Sequence, residues 1–453
     1  MQEPLESRNK NFFKHDWESL KKDFEVSLRR KKRQDFLMTK RSLPLANPPC
    51  LQIPNFDPSQ ELCQSTLTSL FSTFQLSPIE TCYQITLILI NISYKDTNDI
   101  NLLVQSNCIE FCLNYIPISP QKISENLLLA LSNIAATGPE FRQKILDLNF
   151  LALLPNLLFE QECSVSFLKT TALILQNLIQ TDVRIQKQQA EEVVLNALES
   201  LIALDFPKVS KSCLFVVYGL SSFTELQVIR YEFLVGFVME KAGKSENELE
   251  RLLGLKVVLN FVSDSCSDLR ILKEKGVFEV VKENLAKKDS RLMKVCCLIL
   301  VNLLESPFAL EFESCLGEIF PLLINCISHP DMSVRTESSF VLCSLGNLHK
   351  KSVQWENFEL LVRNELFSFI VQGLQVKSDM FLNNILNFLY VVMKAPEPYK
   401  AYFQESFLQS GCYENLELCQ LYCNHNTSGR ISNFLSEYFG YDEEEEEEDP
   451  TMS

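Results

Sequence analysis

The chain has 453 residues, 46% of them hydrophobic, and 58 Asp/Glu against 42 Lys/Arg give it a formal net charge of −16. A single compact core stops growing near about 250–300 residues, so several domains or a repeat array are expected. Only 12 glycines are present, too few to favour the phosphate-cradling loops and tight hairpin turns that depend on them, and the many Leu, Ile and Asn residues lean towards helix.

At the start of the chain, Asp16 is an N-cap candidate for a helix running to about Thr39. Trp17, Leu20, Phe24 and Leu28 fall at spacings of three and four and make one apolar stripe. Arg29, Arg30, Lys31, Lys32 and Arg33, then Lys40 and Arg41, crowd its later half, and residues 8–41 hold twelve Lys/Arg against five Asp/Glu. So many like charges fray an isolated helix, and an acidic partner would order it. A nucleic-acid or membrane contact and a solvated helix face are the other readings of a basic run. The acidic balance of the rest of the chain argues against nucleic acid as the main partner.

Beyond the arm, one pattern recurs. Asn91, Asn133, Asn177, Gly219, Asn260, Asn302, Ser344 and Asn387 lie 41 to 44 residues apart. Two positions before each marker stand Leu89, Leu131, Leu175, Val217, Val258, Leu300, Leu342 and Ile385. One position after each stand Ile92, Ile134, Leu178, Leu220, Phe261, Leu303, Leu345 and Phe388. A spacing of three places both apolar positions on one helix face. Further helical segments, such as Glu140 to Leu146, lie between the markers, and His329-Pro330-Asp331 interrupts them. A unit of about 42 residues holding two or three helices is an armadillo or HEAT unit, which buries its face only against its neighbours. An inward-facing Asn can bond the backbone of an extended peptide, and it can equally serve helix packing or capping.

The chain closes with eight consecutive acids, Asp442 to Asp449, which are expected to be disordered. The 16 cysteines sit mostly in apolar runs such as Val295-Cys296-Cys297-Leu298. With a polar, charged start read as lacking a secretory leader, they are expected to be reduced and buried in an intracellular protein. No apolar stretch reaches the roughly 18 residues of a membrane helix. No phosphate-loop, dinucleotide or nucleophile-elbow motif is present, and none of the four histidines has metal-ligand spacing; Cys423 and His425 with Cys419 and Cys412 come nearest. Neither an enzyme nor a cofactor or metal is expected.

Leu129 to Ala136, Gly138 to Arg142 and Asp331 to Glu337 resemble importin-α armadillo repeats. Arg8, Lys10 and Phe12 with the helix after them are similar to that family's importin-β-binding arm, and Gly411 to Gly440 with the acid run resembles its last repeat and C-terminus. The resemblance implies an all-α, armadillo-repeat, right-handed superhelical solenoid. It divides the chain into an arm (1–45), a solenoid of about ten repeats (46–440) and a disordered acidic tail (441–453). It implies a nuclear import adaptor shuttling between cytoplasm and nucleus, with no nucleic-acid or membrane partner. Cargo proteins bearing basic nuclear localisation signals would meet Asn91, Asn133, Asn177, Asn260, Asn302 and Glu337 in a concave groove. Importin-β would bind the arm from Arg8 to Arg41, and an export receptor would grip about residues 373–440 for recycling. The chain departs from the family where a Trp stands one turn before the ladder Asn: here stand Leu87, Leu129, Leu173, Phe215, Leu298 and Phe340, with Lys256 where the family carries Arg. Thr137 replaces an Asp of the third repeat, so the second site, at Asn260, Asn302 and Glu337, keeps more of its parts than the first. An armadillo scaffold holding a dedicated partner is the alternative.

Overall fold

The computed structural model describes residues 63–440, apart from 96, 160–162, 181–184, 224–225, 264–268, 350–354 and 376. The arm and the acidic tail, with every expected importin-β contact from Arg8 to Arg41, lie outside the described residues. So does the run Asp442 to Asp449.

Local chemistry marks where helices begin, about once per repeat. Pro139 and Pro207 stand in the first turn of their helices, where the missing N–H is harmless. Ser164, Asp289, Ser378 and Asn424 accept backbone N–H bonds two or three residues on, as N-caps. The turns between short helices use a different device. Asn107, Glu365, Gly276 and Gly411 adopt left-handed backbone immediately before a helix. That geometry is natural for Gly, tolerated by Asn and costly for Glu.

The result is all-α, with no strand among the described residues. The described residues form two compact units, which divide between Leu234 and Val235. In the first, four long helices follow one another: α1 (Ile79–Ser93), α2 (Gln121–Ala135), α3 (Val165–Leu178) and α4 (Pro207–Ser221). Each packs on the next, α1 on α2, α2 on α3 and α3 on α4. Shorter helices fill the intervals, such as Thr97–Gln105 and Cys108–Tyr115 before α2. In the second unit the long helices are α5 (Glu248–Ser263), α6 (Ser290–Glu305), α7 (Met332–His349), α8 (Asp379–Val392) and α9 (His425–Phe439), again packed in sequence order. A second row stacks beside them: Val277–Ala286 on Phe320–Ile327, that helix on Leu366–Leu374, and the last on Cys412–Cys419. Each unit is therefore a stack of armadillo-type three-helix repeats, in which a repeat's apolar faces close only on its neighbours.

All sixteen apolar positions flanking the markers are buried, none more than 5% exposed. Each such side chain contributes about 1.5–3 kcal/mol relative to an exposed one, so register along the stack is strongly specified. Two buried arginines end helices. Arg142 donates to the Ala135 carbonyl at the end of α2. Arg251 of α5 donates to the carbonyls of Gly243 and Ser245 at the end of helix Glu232–Lys244. Those carbonyls lack intrahelical partners, and a guanidinium answers both the hydrogen bonds and the dipole. An aromatic cluster closes the final repeat, with the Phe407 and Phe439 rings stacked 4.9 Å apart and Phe434 edge-on to Phe407.

Candidate peptide-binding face

The marker residues sit on the long helices, as the register requires. Helix α3 shows their geometry most clearly. From Phe167 to Gln180 only Lys169, Leu173 and Asn177 retain partial exposure, at a spacing of four, and every other residue is buried. The line opening to solvent therefore runs charge, apolar, amide along the helix axis. Helix α2 repeats it with Glu125, Leu129 and Asn133 half-exposed, and α1 with Leu87 half-exposed and Asn91 exposed. Consecutive packing of α1, α2 and α3 sets the three asparagines in one row of the first unit and the three leucines in a parallel row.

The asparagines have a structural task. Asn133 donates from Nδ2 to Ser93 Oγ at 3.0 Å, one helix back. Asn177 donates to the Ser132 carbonyl at 3.0 Å and to Ser132 Oγ at 2.8 Å. Asn302 donates to Ser263 Oγ at 3.1 Å. Elsewhere on the same helices, Asn126 donates to Thr86 and Asn384 to Ser339. Four of the five receiving hydroxyls share one chemistry. Ser93, Thr86, Ser263 and Ser339 each donate their own proton to a carbonyl three or four residues back in their helix. That leaves oxygen lone pairs to accept the next helix's amide. An Asn about 40–45 residues after a Ser or Thr is the sequence signal for these staples, and it goes unread when the markers are compared only with one another.

One side of the amide remains. Oδ1 of Asn133 and of Asn177 has no protein partner among the described residues, and both side chains are half-exposed. At the far end of the second unit the amides are closed on both sides. Asn387 donates to Cys343 Sγ at 3.7 Å, and its Oδ1 accepts from Arg430 at 2.7 Å. Arg430 also donates to Asn383 Oδ1, so a guanidinium of α9 occupies two of the three amides of α8.

The two expected sites differ in access. In the second unit Asn260 is 9% and Asn302 8% exposed, and Lys256 and Leu298 beside them are buried; Glu337 is half-exposed. The site that keeps more family residues in sequence is thus the less open one. Gly219 explains the break in the asparagine row on α4. A Cβ there would stand 2.5 Å from the Ile179 carbonyl oxygen, so no larger residue fits. Phe215 beside it is buried, and the ladder face of the first unit ends at α4.

Comparison with solved structures bears on the fold alone. The crystal structure of an engineered protein superposes with a TM-score of 0.65 over 82% of this chain and 88% of its own, at 17% identity. The likeness shows the fold alone. A designed armadillo repeat protein matches with a TM-score of 0.47 over 52% of this chain and 99% of its own, at 15% identity. No protein-family model and no curated protein matches the sequence.

The remaining candidates are accounted for by packing. Thr137, where an acid was sought, donates to the Asn133 carbonyl. Cys412 donates to the Phe367 carbonyl of the preceding repeat at 3.3 Å, and Cys419 lies 2.7 Å from the Tyr422 hydroxyl within its own repeat. Burial pushes the Cys412 thiol up to about 12. Among the described residues no group of His, Cys, Asp and Glu could hold a metal ion, and no helix is long and apolar enough to cross a membrane.

Proposed function

We propose that this chain is a protein-binding solenoid of the importin-α kind, an adaptor that holds an extended segment of a partner on the ladder face of its first unit. The observation that carries the reading is the row Asn91, Asn133 and Asn177. Spaced one per helix, these side chains can bond a peptide main chain without reading its sequence, while Leu87, Leu129 and Leu173 contact its side chains. On this reading the basic arm engages importin-β, an export receptor recycles the adaptor, and the protein shuttles between cytoplasm and nucleus without catalysing a reaction. The resemblance of both chain ends and of the repeats to that family supports these assignments.

The arm is tested with the full chain. Binding to importin-β, measured calorimetrically at physiological salt, should be lost when Arg29, Arg30, Lys31, Lys32 and Arg33 are all changed to Glu. Full-affinity binding by that variant, or no binding by the parent, removes the importin-β assignment.

A second reading is favoured by one feature. Aliphatic side chains stand where tryptophans would stack on cargo lysines, and a cation–π contact is worth about 0.5–2 kcal/mol each. The adaptor would then serve a dedicated partner rather than basic signals in general. A lysine-rich signal peptide titrated into the full chain separates the two: micromolar binding supports the general adaptor, and its absence supports the dedicated scaffold.

A further inference from the structure

Three Ser-Pro pairs occur in the chain, Ser77-Pro78, Ser119-Pro120 and Ser306-Pro307, and no Thr-Pro. Their surroundings differ. Ser119 lies in the turn after helix Cys108–Tyr115, immediately before Pro120, which stands at the N-cap of α2. Pro117, Ile118 and Pro120 around it are exposed, and Ser119 itself is half-exposed. Its hydroxyl makes no hydrogen bond among the described residues. Its backbone is nevertheless held, since the Ser119 N–H donates to the Tyr115 carbonyl at 3.0 Å and Ser124 Oγ donates to the Ser119 carbonyl at 3.1 Å. Three places on, Lys122 is exposed, with its ammonium 5.5 Å from the Tyr83 ring centroid. Ser306 presents the opposite case. Its hydroxyl donates to the Leu303 carbonyl at 2.8 Å and accepts the Phe308 N–H at 3.2 Å, and the residue three places on is the buried Ala309. Ser77 is half-exposed and has Glu80 at that position.

We propose that Ser119 is a phosphorylation site for a proline-directed protein kinase that favours a base three residues after the acceptor, and that the phosphate steadies the start of α2. The inference stands apart from the peptide-binding reading. Proline after the acceptor disfavours helical backbone at Ser119 and biases it to the extended form in which a kinase holds its substrate. From Pro117 to Ser119 the backbone amides make two turn hydrogen bonds, both to the Tyr115 carbonyl, so extending this stretch disturbs little. The free hydroxyl has no bond to give up before it reacts, unlike that of Ser306. Lys122 offers an anionic group of the kinase a charge-assisted contact. In the transfer, Ser119 Oγ attacks the γ-phosphorus of magnesium-bound ATP. The new O–P bond forms as the bond from that phosphorus to the β–γ bridging oxygen breaks, ADP leaves, and the hydroxyl proton passes to a carboxylate of the kinase. The product places about −1.5 to −2 charges before the first turn of α2, which contains Lys122 and no acid. Helix-start amides without intrahelical partners and the positive end of the dipole lie there. At α1 the first turn contains Glu80, which would repel a phosphate on Ser77.

The test is site-resolved mass spectrometry of the full chain incubated with a cyclin-dependent kinase and magnesium-ATP, read as initial rates at the three Ser-Pro pairs. Ser119 should be modified faster than Ser77 and Ser306 by about tenfold, and Lys122→Glu should slow it by about the same factor while Lys122→Arg leaves it unchanged. Circular dichroism should show both variants folded. In the modified chain, amide exchange at the start of α2 should slow by about threefold, the size of a charge–dipole contribution at a helix end. No incorporation at Ser119, or a rate there no greater than at Ser306 or Ser77, overturns the inference. A Ser119 rate unmoved by Lys122→Glu removes the kinase class and with it the inference. Unchanged or faster exchange at the start of α2 overturns the effect assigned to the phosphate.

Discussion

Replacing Asn177 by Ala tests whether the ladder asparagines hold the stack together. The amide makes two bonds to Ser132, to its hydroxyl at 2.8 Å and its carbonyl at 3.0 Å. The carbonyl keeps a second bond from the Ala136 N–H at 3.0 Å. The hydroxyl belongs to a fully buried residue and loses the amide that it accepts. A lost intramolecular bond costs about 0.5–1.5 kcal/mol, and a buried group left unpaired about 1–3 kcal/mol. Asn177→Ala should therefore weaken the α2–α3 contact by about 2 kcal/mol. Because repeats are stabilised by their neighbours, the loss should be local. Hydrogen–deuterium exchange of peptides covering α2 and α3 is the assay, and a loss of 2 kcal/mol speeds opening-limited exchange by about 30-fold. Removing both partners, with Ser132→Ala added, should cost less than the sum of the single changes, leaving a coupling of about 1 kcal/mol. Unchanged protection in Asn177→Ala, or strictly additive losses, would refute the staple and return Asn177 to ligand binding alone.

Two glycines should respond with opposite signs in urea unfolding of the full chain. Gly219→Ala drives a Cβ to 2.5 Å from the Ile179 carbonyl and should destabilise by about 1–3 kcal/mol, whereas Gly236→Ala, with nothing within 4 Å, should gain about 0.5–1 kcal/mol from helix propensity. Glu365 holds φ at 63°, so Glu365→Gly should raise stability by about 0.5–1 kcal/mol in the same assay. At the start of α6, the hydrogen bond from Arg291 and the capped backbone amides hold the Asp289 carboxyl below its usual range. A depressed folded value means that the stabilisation is complete above the unfolded value and is lost as pH falls through the folded one. Asp289→Ala should therefore cost about 1 kcal/mol at pH 7, with the gap from the parent closing as pH drops below about 4.

The repeat and its register could be read from the residues alone. A position buried between two neighbouring helices must be apolar in every repeat, so Leu89, Leu131 and their successors repeat in kind as well as in spacing, and all are buried. The helix starts at Pro139 and Pro207 and the caps at Ser164 and Asp289 are equally local, since each acts within three residues of itself. The site was legible only in part. Asn91, Asn133 and Asn177 were legible, yet the directions of the Asn133 and Asn177 amides depend on the hydroxyls of Ser93 and Ser132 in the preceding long helix, which a comparison of like residues passes over.

Sequence by itself determined the period, the buried faces and the position of each marker on its helix, because these follow from helical geometry and the aversion of apolar groups to water. Tertiary structure alone decided which markers are open. Asn133 and Asn260 occupy the same register, but one is half-exposed and the other 9% exposed, and Gly219 yields its place to the Ile179 carbonyl. Access depends on what neighbouring segments leave uncovered, and no residue carries that information within its own repeat.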